Sequence, residues 1–123
     1  MAISPEFVTY LEDLFSVVPG TSIRRMFGGV GIFRHGLMYA LAMSDGRIAM
    51  KADEQNVPDF KAEGCEEWTY EMRKSPKKSM GYWFMPERLV DDEDDFRQWA
   101  MAAFEAAVRA DARKPPKQRK LKH

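Results

Sequence analysis

Apolar residues set the first element: Phe7, Leu11, Leu14, Phe15 and Val18 recur at helical spacing behind Ser4-Pro5-Glu6. That triplet supplies an N-cap, a first-turn proline and an acid at the positive end of the helix dipole. The pattern predicts a helix that closes at Pro19-Gly20. Ile23 to Phe33 is extended in character but broken by Gly28-Gly29 and Gly31, which predicts a sharp turn or bulge between two short strands. After a turn at His35-Gly36, the larger side chains Leu37, Tyr39, Leu41 and Met43 alternate with Met38, Ala40 and Ala42, the period of a strand with its bulk on one face. Ser44-Asp45-Gly46 is a hairpin signal, and Arg47 to Lys51 returns with Ile48 and Met50 alternating against polar neighbours.

Asp53 is positioned to cap a short helix through Glu63, with Val57 and Phe60 inward and Gly64 as its left-handed C-terminal residue. Trp68, Tyr70 and Met72, then Met80, Tyr82 and Phe84, alternate as two further strands. The last strand is apolar on both faces, so both need a cover. Trp83 and Met85 are therefore candidates for a dimer or partner surface, with an internal helix as the other way of covering them. The acids Asp91 to Asp95 precede Phe96, Trp99, Ala100, Ala103, Phe104, Ala107 and Val108, an amphipathic helix with its acids at the favourable end, stopped by Pro115-Pro116. The pattern implies a two-layer α+β fold, α-β-β-β-α-β-β-α, with an antiparallel sheet of about five strands flanked by helices. Residues 1–112 read as one domain and 113–123 as a flexible basic tail.

Composition narrows the function classes. With 45% apolar and 31% charged residues the 123-residue chain has the makings of one globular core. A single cysteine, Cys65, excludes an intramolecular disulfide, and the N-terminus lacks the basic and apolar regions of a signal peptide, which predicts a cytoplasmic protein with no membrane partner. The formal charge is zero, yet six Lys/Arg and no acid fall in 113–123, leaving a body with a net charge of −6. The body thus lacks the dense positive charge that phosphate polymers require. Local exceptions are the basic stretch Arg73, Lys74, Lys77 and Lys78 and the tail residues Arg113, Lys114, Lys117, Arg119 and Lys120, which are candidate phosphate contacts that would not read sequence. Arg24 and Arg25 point to opposite faces of a strand, so at most one joins any shared basic surface.

Catalytic motifs fail on inspection. Gly31-Ile32-Phe33-Arg34-His35-Gly36 has the glycine spacing of a phosphate-binding loop, but Leu37-Met38 stand where lysine and a hydroxyl residue are needed. Gly29-Val30-Gly31 fails the dinucleotide fingerprint because Arg34 replaces its third glycine. Two histidines and one cysteine do not make a zinc site. Cys65 and His35 have no neighbour in sequence that would serve as a catalytic partner. No cofactor is expected.

The run Ile23-Arg24-Arg25-Met26-Phe27-Gly28-Gly29-Val30-Gly31-Ile32-Phe33, then Gly36 to Leu41, resembles the leading signature of the TfoX/Sxy competence-regulator family, N-terminal domain. Lys51-Ala52-Asp53, Gly64-Cys65, Ser79 to Trp83 and Met85-Pro86-Glu87 match later landmarks in order, so the resemblance spans residues 5 to 110. It implies a two-layer fold with a five-stranded antiparallel sheet, a homodimer, and a bacterial cytoplasmic protein associated with competence for DNA uptake. The chain is expected to be a stand-alone domain without the second domain of longer relatives. The family supplies no catalytic residues to carry over. The leading expectation is a non-enzymatic regulatory or protein-interaction domain with an unidentified protein partner. The alternatives are a nucleic-acid-associated module using the basic loop and tail, and a small-molecule enzyme or sensor using the glycine-rich turn.

Overall fold

A computed structural model describes residues 3–26, 28–70 and 78–122. It contains α1 (Pro5–Leu14), a 3-10 turn at Phe15–Val17, β1 (Thr21–Met26), β2 (Gly29–Arg34), β3 (Leu37–Ala42) and β4 (Ile48–Lys51). These are followed by α2 (Val57–Ala62), β5 (Glu67–Tyr70), β6 (Lys78–Phe84), a 3-10 turn at Glu87–Asp91, α3 (Glu93–Ala112) and a last 3-10 turn at Pro116–Gln118. The strands form one antiparallel sheet in the order β1-β2-β3-β4-β6-β5, with the helices on one side, so the α+β class holds. The sheet has six strands where about five were expected. The glycine-broken run splits fully into β1 and β2, whose ends pair Met26 with Gly29 around a reversal at Gly28 (φ 75°), and the Ser44-Asp45-Gly46 hairpin adds β4. A residue with a Cβ is disfavoured at that positive φ.

Local chemistry sets the helix ends. Ser4 caps α1, its hydroxyl accepting from the Phe7 amide at 3.1 Å, and the Asp92 carboxylate accepts from the Asp95 amide at the start of α3. At the end of α2, Gly64 takes φ 75° while its amide donates to Lys61 and the Cys65 amide donates to Phe60, the paired closure of a Schellman motif. Asp53 does not cap α2. The helix starts later, after Asn56, whose side chain accepts from the Asp53 amide and donates to the Lys51 carbonyl, and the Asp53 carboxylate instead binds Arg109 of α3 at 2.6 and 2.9 Å.

The core lies between α1, α3 and one face of the sheet. Phe15 meets Phe96 edge-on at 5.0 Å and Tyr39 at 6.0 Å, and Tyr39 meets Phe104 at 6.0 Å. The Tyr39 hydroxyl shares a 2.8 Å hydrogen bond with Thr21, and burial pushes its pKa up to about 12, so it is a neutral core group. Simple alternation fails in β3. Ile32 pairs with Ala40 but Phe33 with Met38, leaving Tyr39 as an extra residue. This bulge turns Tyr39 and Ala40 to the same side, so Leu37, Tyr39, Ala40 and Ala42 face the helices while Met38 and Leu41 face away.

Met85 is only 8% exposed within the core, and Trp83 packs 6.1 Å from Phe60 of α2, whose ring also meets Trp99 of α3 at 5.0 Å. The chain's own α2 and α3 pack against this side of β6, the internal cover named above as the alternative to a partner, with Trp83 still partly exposed. The C-terminal stretch hooks back on α3. The Asp111 carboxylate, 1% exposed, accepts from the backbone amides of Lys120 and Leu121, and Leu121 packs against the core.

Candidate functional site

The strand faces turned away from the helices form a second apolar surface. Cross-strand pairs share a face, and the register links Arg24 to Gly31, Gly31 to Leu41, Leu41 to Ala49 and Ala49 to Phe84. The same rule adds Phe33 with Met38, and Lys51 with Tyr82 and Trp68. None of these side chains belongs to the cluster that the three helices bury.

Tyr82 shapes this face. It is 7% exposed, and its hydroxyl donates to the Met38 carbonyl at 3.3 Å, reaching from β6 past β4 to β3, with the small Ala49 among the β4 residues on this face. Burial pushes its pKa up to about 12, so the phenol keeps the proton that makes this bond. The result is a curled face with a trough of about 640 Å³ lined by Met26, Met38, Leu41, Trp68 and Tyr82. Gly31 lies beneath converging side chains. A Cβ there would come 2.6 Å from Met26 Sδ and 2.8 Å from the Phe33 ring. Gly31 thus serves close packing between β2 and its neighbours.

Cations stand on this face over aromatic rings. The Arg24 guanidinium lies 4.8 Å from the Phe33 centroid, Lys51 Nζ 4.9 Å from Tyr82 and the Arg47 guanidinium 4.3 Å from Phe84. Burial draws the Lys51 pKa down. Arg47 also grips Asp45 at 2.8 Å. Arg25, on the helix side, donates instead to the Ile3 carbonyl at 2.6 Å, so the two adjacent arginines do separate as strand alternation requires. The sequence reading did not find this face, because the Tyr39 bulge hides which of β3's residues point outward.

The other candidate residues scatter. Arg73, Lys74 and Lys77 lie outside the described residues, and Lys78 begins β6 by pairing with Tyr70. On the C-terminal hook, Arg113 pairs with Glu54 at 2.6 Å, Lys114 lies 4.0 Å from Asp111, and Arg119 donates to the Lys114 carbonyl at 2.9 Å. Lys117 and Lys120 are exposed. His35 sits on the β2–β3 turn with its ring 5.9 Å from Phe104, while Cys65 follows α2, where burial raises its thiol pKa, the opposite of nucleophile activation. Among the described residues no group of three His, Cys, Asp or Glu is placed to hold a metal ion. A smaller cleft of about 290 Å³ between α2 and α3 is lined by Asn56, Asp59 and Gln98, with the Asn56 amide already spent on the backbone.

Residues 13–107 match the family model of the TfoX N-terminal domain. The chain belongs to that family. No curated protein matches it. The match spans all six strands of the TfoX N-terminal domain together with α2 and most of α3, so the open face lies within it. Membership points to a regulatory or competence-related domain, in a family not known for enzymes. No helix among the described residues is long and apolar enough to cross a membrane.

Proposed function

We propose that this TfoX N-terminal domain is a non-enzymatic regulatory module that docks another macromolecule on the open face of its sheet, in a role linked to competence or transcription control. The observation that carries this reading is the second apolar set, Met26, Phe33, Met38, Leu41, Trp68 and Tyr82, held apart from the core the helices bury. A solvated sheet face ordinarily alternates to polar residues, and a contiguous apolar one marks a contact. Co-purification from native cytoplasm, with nuclease-treated and untreated lysates compared, tests it alongside Leu41→Glu. A protein partner retained after nuclease and lost from Leu41→Glu supports docking, whereas equal recovery on both forms rejects this face.

A second reading is favoured by the hook, which gathers Arg119, Lys120 and Lys122 around a surface hollow of about 430 Å³. Backbone-level contact with nucleic acid there would weaken steeply with salt through counterion release. Labelled duplex and single-stranded DNA titrated against the wild type and a Lys117→Gln, Arg119→Gln, Lys120→Gln variant decides it. Binding near physiological salt that the variant loses supports this reading, and its absence removes it.

A further inference from the structure

We propose that the outer edge of β1 is a strand-addition site, which takes an extended segment of a partner protein bearing acidic residues opposite Arg24 and Arg25. The edge is a different surface from the open face, and the inference does not rest on that face. β1 ends the sheet and pairs with β2 alone. Met26 and Gly29 close a two-residue hairpin, so Met26, Arg24 and Ser22 turn their backbone groups toward β2, while Thr21, Ile23 and Arg25 turn theirs outward. Among the described residues no group bonds those outward N–H and C=O groups. An extended backbone is the partner that matches a row of donors and acceptors at strand spacing.

The two edges of the sheet differ in the features that keep an edge from pairing. β5, at the other end, has four residues and a register shift between Trp68 and Thr69, and short, irregular edges discourage an added strand. β1 has six residues in unbroken register with β2 and contains neither proline nor glycine. At about 3.4 Å per residue it offers about 20 Å of edge. What guards it is charge.

Arg24 and Arg25 are neighbours on β1, one on each face of the sheet. From residue 14 to residue 44 the chain has three arginines and no aspartate or glutamate. Arg24 lies over the Phe33 ring and Arg25 donates to the Ile3 carbonyl, so both are positioned without a carboxylate, and among the described residues neither belongs to an ion pair. The only acidic side chain outside the described residues, Glu71, comes directly after β5, the strand at the opposite edge. An added strand with two adjacent acids places one carboxylate on each face, each across from an arginine, and such cross-strand pairs stabilise a sheet. A second copy of β1 in that place would put the arginines of both copies, and no acid, in one two-stranded ribbon, where like charges oppose pairing.

The test uses the full chain and fluorescein-labelled peptides of about eight residues, in which valine and threonine alternate around a central Glu-Glu pair, with Gln-Gln and Lys-Lys pairs as controls. Anisotropy at low salt is expected to rank the glutamate peptide about three- to tenfold tighter than the glutamine peptide, with the lysine peptide weakest. N-methylation of alternate amides of the glutamate peptide leaves one bonding edge and should preserve binding, whereas N-methylation of every amide removes both edges and should weaken binding at least about tenfold. At saturating glutamate peptide, amide exchange should slow at Thr21, Ile23 and Arg25, whose N–H groups face outward. Arg24→Gln should shrink the glutamate preference. Leu41→Glu, on β3, should leave peptide affinity unchanged, which separates the edge from the open face. Circular dichroism confirms that both variants are folded. A fully N-methylated peptide that binds like its parent, no slowing at the three amides, or no binding at all overturns strand addition, and none of these outcomes touches the open-face reading. A glutamate peptide no tighter than its glutamine control overturns the acidic partner. A dimer in sedimentation that the peptide dissociates would make a second copy the occupant instead.

Discussion

The two faces of this sheet share every strand and are handled oppositely by the chain. On the helix side, Val30, Ile32, Tyr39, Ala40 and Met50 are buried against α1 and α3, and the aromatic rings interlock edge to face. On the other side, Met38, Leu41 and Trp68 remain partly exposed around a trough, and the cations over that face are held by ring contacts. Apolar character alone therefore does not say what a residue is for. The first set is closed by the chain's own helices and sustains the fold, while the second is closed by nothing among the described residues and is left for a contact.

The largest expected effect lies on the helix side. Phe96 is 1% exposed and meets Phe15 at 5.0 Å. Phe96→Ala should cost about 3–5 kcal/mol of unfolding free energy through lost transfer and the cavity left behind, read as a lower urea midpoint with unchanged slope. A loss below about 1 kcal/mol would mean that the core is not where the helices meet the sheet.

Next comes the hook. Asp111→Ala leaves the amides of Lys120 and Leu121 without their buried acceptor and should cost about 1–3 kcal/mol. Amide exchange should rise first over residues 119–121, ahead of α3. Uniform exchange along the chain would show instead that the hook and the helix unfold as one unit.

Much of the helix side was legible in the sequence, and the reasons are local. Ser4-Pro5 marked the start of α1, Gly64 the end of α2, and the acids before Phe96 the entry to α3, because each is chemistry between residues a few positions apart. What stayed hidden depends on residues far apart in the chain. The Tyr39 bulge is set by register with β2 and reassigns Leu41 to the opposite face from the one alternation predicts. Asp111 reads as an ordinary helix-end acid until the tail returns to it, and Trp83 looks uncovered until Phe60 of α2 is placed beside it. The cationic ring contacts join β1 to β2 and the β4 region to β6 and have no sequence signature, although the separation of Arg24 from Arg25 followed from strand alternation alone.

A pH series sharpens the comparison, since the most buried ion pair also belongs to the helix side. Asp53 and Arg109 have side chains 10% and 26% exposed and join α3 to the loop before α2. The hydrogen bonds from Arg109 hold the Asp53 carboxyl below its ordinary value. Its contribution is therefore complete above the unfolded carboxyl value of about 3.9 and is lost as the pH falls through the lower folded value. Asp53→Asn should be about 1–2 kcal/mol less stable than wild type at neutral pH, with the gap closing as the pH is taken down through the acid range. A gap that stays constant down to the acid limit would place the pair's contribution in packing.

The smallest expected effect is the most discriminating. Ala40 and Leu41 are neighbours in β3, yet the register sends Ala40 to the helices and Leu41 to the trough. Glutamate at 40 would press a charge against α3 with no partner and prevent folding. Leu41→Glu keeps its carboxylate in reach of water, on a face whose own charges, Arg24 and Lys51, are positive, and should change stability by less than about 1 kcal/mol. Thermal and urea midpoints check this directly. If Leu41→Glu proved as costly as a core substitution, the trough would be a second core closed by the chain itself, and the distinction between the two faces would fail. If it costs little, the leucine at 41 serves something other than folding, and a contact made by this face is the role the geometry leaves for it.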